Sequence, residues 1–361
     1  MTLFLDKIFS RKISLIYALC ISVLFLSSCQ KAEPQQMQEQ PQTHSAEPDQ
    51  IVDLSALCQN IEKNMANINA ERTTFALEQI NQDLKLCLPL SSFAQQKHFL
   101  TLSNQMYDHF LAVDRTPAEQ SAFENYAFDL SQHPTLQQSH FEQLNLRDQY
   151  LLKHKGQAYI ELLDEGNGQL SYRRSPEYLA KVFAPYMPPA EQVFIENLAA
   201  QNLLPVFAGQ SLMIDPHEIV SRALFWEDYL KQYPKSSYAK DATYLLHTYS
   251  VFLFEGLPDS AVSESYLDEY AIQSSSLDEI KQLAQLKNSN LAVKANKFLQ
   301  FLQLSPEQRL KQIPVPLSAK EQQSGAENLR AAKQLEQYLA LQPLNLRNIR
   351  DCFRDAICRT D

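Results

Sequence analysis

The chain has 361 residues, a formal net charge of −10, 45% apolar residues and six glycines. That length and apolar fraction suffice for a sizeable core, while the acidic balance repels nucleic-acid phosphates and sets nucleic acid aside as a partner. Scarce glycine argues against a β-sandwich, a Rossmann unit or a P-loop, since tight turns and phosphate cradles both need it, so a mainly all-α fold is expected.

Lys7, Arg11 and Lys12 precede an apolar run, Ile13 to Leu26, which ends in Leu26-Ser27-Ser28-Cys29. A cationic start, a short apolar stretch and small residues before a cysteine describe a secretory leader. The run is shorter than the roughly 20 apolar residues of a permanent span. Leu26-Ser27-Ser28-Cys29 resembles the lipobox of bacterial lipoproteins. That resemblance implies that residues 1–28 are a removed signal peptide and that Cys29 becomes the lipidated first residue, with the membrane as a partner through its acyl chains. Gln30, where an inner-membrane lipoprotein has Asp, implies the periplasmic face of the outer membrane, given a Gram-negative host. Loss of residues 1–28 removes Lys7, Arg11 and Lys12 against Asp6, and takes the formal charge from −10 to −12. An acidic body is repelled by anionic headgroups, so attachment rests on acyl chains, at about 0.8 kcal/mol per buried CH₂.

Residues 29–50 are rich in proline, glutamine and glutamate and are expected to be a disordered tether, because they cannot offset their ordering entropy by burial. Beyond it lie an N-terminal helical domain (51–155), a second helical domain (156–312) and a linker, helix and cysteine-containing tail (313–361). Leu54, Leu57, Cys58 and Ile61 share a helical face, as do Phe75, Ile80, Leu84 and Cys87 more loosely. Thr73 and Thr74 are N-cap candidates for the second helix. Cys58, Cys87, Cys352 and Cys358 remain for disulfides in an oxidising compartment, with three connectivities open. The favoured pairs are Cys58–Cys87 and Cys352–Cys358. The midpoint of the first pair falls at the Arg72–Thr73 turn, where an antiparallel helix pair brings both cysteines level. The second pair, six residues apart, requires a turn or a broken helix.

Further helices are expected at about 93–113, 117–132 and 136–155, the second opened by Thr116-Pro117. Residues 157–173 carry a hairpin signal, with Asp164-Glu-Gly-Asn-Gly168 as its turn. The glycines fall where an EF-hand needs ligands, so calcium is not expected there. Prolines at 184–189 and 204–205 separate short helices, Asp215-Pro-His-Glu218 reads as a helix start, and a helix is expected over about 326–341.

Phe225-Trp-Glu-Asp-Tyr-Leu-Lys-Gln-Tyr233 is echoed by Val262-Ser-Glu-Ser-Tyr-Leu-Asp-Glu-Tyr270 and weakly by Phe298–Leu302. A period near 34 residues marks stacked helix–turn–helix units. Phe225, Tyr229, Tyr233, Pro234, Ser237, Tyr238, Ala239, Ala242, Leu245 and Tyr249 resemble the tetratricopeptide-like repeats of bacterial envelope proteins. The family's glycine in the second helix is absent, and Ala271 replaces Pro234 in the second copy. The resemblance implies an α-solenoid of helical hairpins, with a groove for peptides or envelope proteins. Tyr244, Tyr249, Tyr266 and Tyr270 are the candidate binding anchors.

No motif for catalysis or a cofactor emerges. His133, His140 and His154 lack metal-ligand spacing, and Ser237-Tyr-Ala-Lys240 fits an acyl-serine pattern without its companion motifs. The expected function is a lipid-anchored envelope scaffold or interaction module, with no assigned catalytic residue, metal or cofactor. Two alternatives stand beside it. One is an envelope enzyme acting on cell-wall material, with its site near the 157–172 hairpin and Arg173/Arg174. The other is a ligand-binding or inhibitor lipoprotein working through residues 51–155.

Overall fold

The computed structural model describes residues 54–132, 140–165, 169–318, 321–322, 326–344 and 351–359. The leader, Cys29, the tether, His133 and the hairpin residues Gly166 and Gly168 lie outside them. The described chain is mainly helical, with three small two-stranded sheets.

Helices α1 (Leu54–Ala66) and α2 (Thr74–Cys87) form the expected antiparallel pair, and Cys58 and Cys87 are disulfide-bonded with Cα atoms 5.5 Å apart. Thr73 is the N-cap of α2, but its side chain makes no capping bond. The Thr74 N–H is taken by the Tyr150 hydroxyl at 2.8 Å. Leu77, Ile80, Leu84 and Cys87 form the buried face. Phe75 does not join them and is 72% exposed, because it lies off the stripe that meets α1. Helix α3 (Phe93–Leu111) opens with a reciprocal capping box between Ser92 and Gln95, and buries Phe99, Met106 and Phe110 at helical spacing.

Helix α4 (Pro117–Gln132) follows Thr116, which exchanges hydrogen bonds with Glu119. The Thr116 backbone and hydroxyl bonds hold the Glu119 carboxyl below its ordinary range. The helix expected from 136 is shorter where it is described. Helix α5 spans Leu146–Lys153, and Asn145 starts it by accepting from the Arg147 N–H at 2.8 Å. Arg115, just before α4, grips Asp148 of α5 through two bonds of 2.8 and 2.6 Å, and Tyr172 donates to the same carboxylate at 3.0 Å. Asp148 is fully buried, so these partners are what allow its charge to be there.

Tyr172 comes from the expected hairpin, β1 (Ile160–Asp164) and β2 (Leu170–Arg174), paired Ile160 with Arg174 through Asp164 with Leu170. Helices α6 (Glu177–Val182) and α7 (Pro189–Gln201) follow. Two hairpins were not expected: β3 (Phe207–Ala208) with β4 (Ser211–Leu212), and β5 (Gly256–Leu257) with β6 (Ser260–Ala261). Gly256 has φ +79°, and a Cβ there would stand 2.3 Å from the Ser260 carbonyl oxygen, so this position admits only glycine.

Helices α8 (Pro216–Gln232) and α9 (Ala239–Phe254) form the hairpin expected from the first repeat copy, and Asp215 caps α8 through the Glu218 N–H at 2.8 Å. The Tyr233–Tyr238 turn is bound from outside. Glu191 of α7 accepts from the Ser237 N–H and hydroxyl, both at 3.0 Å, and Tyr229 donates to the Ala190 carbonyl at 2.9 Å. Ser237 is therefore engaged in turn formation. Tyr238 stacks on Phe194 with ring centres 4.4 Å apart.

The second copy is not a helix. Tyr266 has φ +53°, the Ser263 hydroxyl accepts from the Ser265 and Tyr266 N–H groups, and Asp268 accepts from Tyr270 and Ala271. These side chains take the donors that a helix would use. Arg309 then fixes the loop by donating to the Tyr266 and Leu267 carbonyls at 2.7 and 2.8 Å. The next helical hairpin is α10 (Ser274–Leu283) with α11 (Asn290–Gln303), which contains the Phe298–Leu302 echo and packs against α8. Helix α12 (Pro306–Gln312) precedes α13 (Ala326–Leu339), which lies on α11.

One buried cluster joins Leu151, Ala158, Ile160, Trp226, Ile313 and Leu335, so the apolar core is continuous across the sequence boundaries at 155/156 and 312/313. Among the described residues, no helix is long and apolar enough to cross a membrane.

Candidate functional site

A cleft of about 310 Å³ is walled by α3, β2 and residues 351–359. Asn104, Tyr107, Asp108 and Leu111 come from one face of α3, spaced as a helical stripe requires. Strand β2 contributes Tyr172, Arg173 and Arg174, and the C-terminal loop contributes Asp351, Arg354, Asp355 and Arg359.

Three devices hold that loop. Cys352 and Cys358 are disulfide-bonded, with Cα atoms 4.0 Å apart, inside a bridge between Asp351 and Arg359. The chain here is non-helical, as a cysteine spacing of six demands. Buried Asn202 donates to the Cys352 and Asp355 carbonyls at 2.8 and 2.7 Å. Phe353 enters the core beside Phe207, Tyr249 and Phe252.

Arg174 forms the floor and is 5% exposed. It donates to Asp355 at 2.6 Å and Asn104 at 2.8 Å, and its guanidinium lies 4.7 Å from the Tyr178 ring centre and 5.2 Å from that of Tyr107. Its Nε is buried with no hydrogen-bond partner among the described residues. Tyr107 accepts from Asn81 at 3.0 Å and donates to the Ala158 carbonyl at 2.8 Å. Burial, reinforced by Tyr178, pushes the Tyr107 phenol well above its ordinary pKa, so it stays neutral.

The rim is more open. Arg354 pairs with Glu165 and also donates to the Ser171 hydroxyl at 2.6 Å. Arg359 pairs with Asp108. Burial works to lower the Arg359 pKa, but the Asp108 hydrogen bond and the nearby aspartates outweigh it and hold the guanidinium above its ordinary value. Arg173 donates to Glu161 at 3.1 Å and to the Arg354 carbonyl at 3.2 Å. Each of the four arginines that line the cleft is thus paired with a carboxylate, two at the buried floor side and two at the more exposed rim.

The four candidate tyrosines differ in exposure. Tyr249 and Tyr266 are core residues; the Tyr249 hydroxyl accepts from Arg222 at 3.3 Å, and the Tyr266 hydroxyl donates to the Glu255 carbonyl at 3.3 Å. Tyr244 is half-buried, whereas Tyr270 is 99% exposed on a 3-10 turn. His154 stacks on Tyr150 and donates to its carbonyl at 2.7 Å through Nδ1. No group of three or more His, Cys, Asp or Glu side chains among the described residues is placed to hold a metal ion.

Arg173 and Arg174 were visible in the sequence as part of the enzyme alternative. Asn104, Asp108, Asp351, Arg354, Asp355 and Arg359 were not singled out. The available signal was the charged Arg354-Asp355 pair inside a six-residue cysteine loop. Comparison of the chain with protein-family models, curated proteins and solved structures yields no match.

Proposed function

We propose that this protein is an exported lipoprotein, anchored through Cys29 to the periplasmic face of the outer membrane, whose helical body is a protein-interaction module. The observation that carries the reading is the pairing of Cys58 with Cys87 and Cys352 with Cys358. All four cysteines beyond the leader and Cys29 are then disulfide-bonded, which fits an oxidising compartment. The leader and its Leu26-Ser27-Ser28-Cys29 ending supply the route there.

The tetratricopeptide-like reading draws support from α8–α9, with its Tyr-Pro-x-Ser turn, and from the α10–α11 hairpin packed against α8. On this reading, residues 256–273 are an insertion between two stacked helical hairpins. They carry Tyr270, 99% exposed, and Leu267, also exposed at 37%. An aromatic held out on a capped turn is a suitable anchor for a partner, since Asp268 already fixes the backbone that carries it.

Palmitate labelling of the wild type and of Cys29→Ala tests the anchor. Label confined to the wild type, with Cys29→Ala accumulating as an unprocessed precursor, is expected. Persistent label on Cys29→Ala refutes it. Affinity capture with the wild type and Tyr270→Ala, read by mass spectrometry, tests the module. An envelope protein recovered by the first and lost from the second is expected; identical recoveries remove Tyr270 from the binding surface.

A further inference from the structure

We propose that the end of α2 and the turn after it form a membrane-docking surface, which sets Leu86 and Leu90 into the lipid leaflet that holds the acyl anchor. The inference rests on the reading of Cys29 as a lipidated residue. It adds that the helical body lies on the bilayer instead of standing off it.

Exposed apolar surface is the first argument. Leu86 and Leu90 are 49% and 67% exposed, and Pro89 between them is exposed as well. Gln96 donates to the Leu88 carbonyl at 3.1 Å and to the Tyr186 carbonyl at 2.8 Å. It therefore fastens the 3-10 turn Leu88–Leu90 to a second one, Ala184–Tyr186, which presents exposed Pro185 and half-buried Tyr186. A proline stiffens each turn, so this surface exists before anything meets it. Apolar groups gathered on one face mark an interaction surface.

The outward face of α2 extends it. Phe75, Gln79, Gln82 and Leu86 fall within about 60° of one another at 100° per residue. Phe75 is 72% exposed, and both glutamines are exposed and uncharged. The helix can thus lie along an interface with an apolar group at each end and no charge beneath it.

Position in the chain selects lipid as the occupant. The Cys58–Cys87 disulfide holds its two Cα atoms 5.5 Å apart, so Leu86 and Leu90 sit beside the first turn of α1, which begins at Leu54. Residues 30–53 alone separate that turn from Cys29. A coil of about 24 residues has an r.m.s. reach of roughly 25–30 Å. Acylated Cys29 therefore keeps a bilayer within reach of this end of the molecule at all times. Tethering raises the effective concentration of the leaflet, so a patch too small to bind membrane alone suffices once the acyl chains are in place.

Local charge agrees. The whole chain has a formal charge of −10, yet Lys85 precedes Leu86, and Lys97 stands over the Phe93 ring at 4.7 Å one turn into α3. Neither lysine has an ion pair among the described residues. Such lysines lay their stems on apolar surface and extend their ammonium groups to headgroup phosphates.

The test uses the lipidated full chain in vesicles of phosphatidylethanolamine and phosphatidylglycerol, with and without acyl-brominated phosphatidylethanolamine. Trp226 is the one native tryptophan and is fully buried, so the wild type supplies an unquenched baseline. Leu86→Trp and Leu90→Trp each add a probe on the proposed surface. Leu204→Trp adds one at a site 72% exposed, beyond the far end of α7 and roughly 20 Å from the Tyr186 turn at 1.5 Å per residue. Far-UV circular dichroism checks the fold of each variant, and flotation of the vesicles checks anchorage. The added emission at position 86, 90 or both should fall by about half or more on brominated vesicles, since interfacial side chains sit about 5–10 Å into the headgroup and acyl boundary. That of Leu204→Trp should be unchanged. Chains that float with the vesicles while neither probe is quenched overturn the docking surface and leave the anchor standing. Equal quenching of Leu204→Trp overturns it as well. A wild-type chain that does not float refutes the anchor, and the docking surface with it.

Discussion

Glu255 offers the most direct quantitative check on the packing of the C-terminal half. It is the C-cap of α9, its Oε1 is buried without a hydrogen bond, and Glu336 of α13 lies close enough to repel it. Burial first, and Glu336 second, raise its carboxyl from the ordinary 4.5 to about 7. Burial raises Glu336 as well, opposed by Lys333. The folded state therefore binds the Glu255 proton more tightly than the unfolded state does. This group's contribution to stability is full below about pH 4.5 and is lost as pH rises through about 7. At about 1.4 kcal/mol per pH unit, the displacement corresponds to a loss of up to about 3 kcal/mol across that window.

Glu255→Gln keeps the shape and stays neutral at every pH. Urea unfolding of wild type and variant at pH 4.5, 6 and 8 isolates the effect, because all other titrating groups are common to both. The two should be nearly equal at pH 4.5, with the variant more stable at pH 8 by as much as about 3 kcal/mol. Glu336→Gln removes the second cause and should move the wild-type loss of stability to lower pH, in the direction opposite to any strengthening of burial. A stability difference between wild type and Glu255→Gln that does not change with pH refutes the reasoning.

Three other outcomes are expected. Asp148→Ala leaves Arg115 without its carboxylate and should cost about 3 kcal/mol in urea unfolding, while the double replacement Arg115→Met with Asp148→Leu should cost less than the single one. Non-reducing peptide mapping should join Cys58 to Cys87 and Cys352 to Cys358; replacing the first pair with serine should cost about 3–4 kcal/mol on the chain-entropy argument, and the second, with its shorter loop, about 2 kcal/mol. Arg309→Lys removes the fork that holds the Tyr266 and Leu267 carbonyls, so limited proteolysis between residues 263 and 272 should quicken while the helical circular dichroism signal is kept.

Local patterns in the sequence translated well. The capped starts at Thr116-Pro117 and Asp215-Pro216, the Tyr233–Tyr238 turn and the 160–174 hairpin all depend on residues near one another in the chain, and periodicity or turn chemistry exposes them. Cys58–Cys87 was legible for the same reason, since a single turn at Arg72–Thr73 sets its geometry. The second repeat copy misled because Val262–Tyr270 has helical spacing, whereas its backbone is decided by Ser263, Asp268 and the distant Arg309. Tyr249 and Tyr266 share the residue type of binding anchors, and only packing against Phe252 and Phe298 shows them to be core. The cleft was the least legible feature. Arg174 and Asp355 are 181 positions apart, and no local pattern carries such a pairing.

The C-terminal loop explains how a charged cleft can sit beside a continuous apolar core. Phe353 and the Asn202 bonds attach the loop through groups that face inward, and the Cys352–Cys358 bond closes it on itself. None of these anchors uses the charges that face the cleft. Arg354 and Arg359 are therefore not required to hold the loop in place, and their exposed pairs with Glu165 and Asp108 add little to stability. Arg174 differs: it is buried, shares Asp355 with the loop and sits against Tyr107 and Tyr178, so its charge is inseparable from the fold. The loop is thus placed by its inward-facing groups and by the buried Arg174–Asp355 pair, and the two exposed pairs at the mouth follow from that placement rather than causing it.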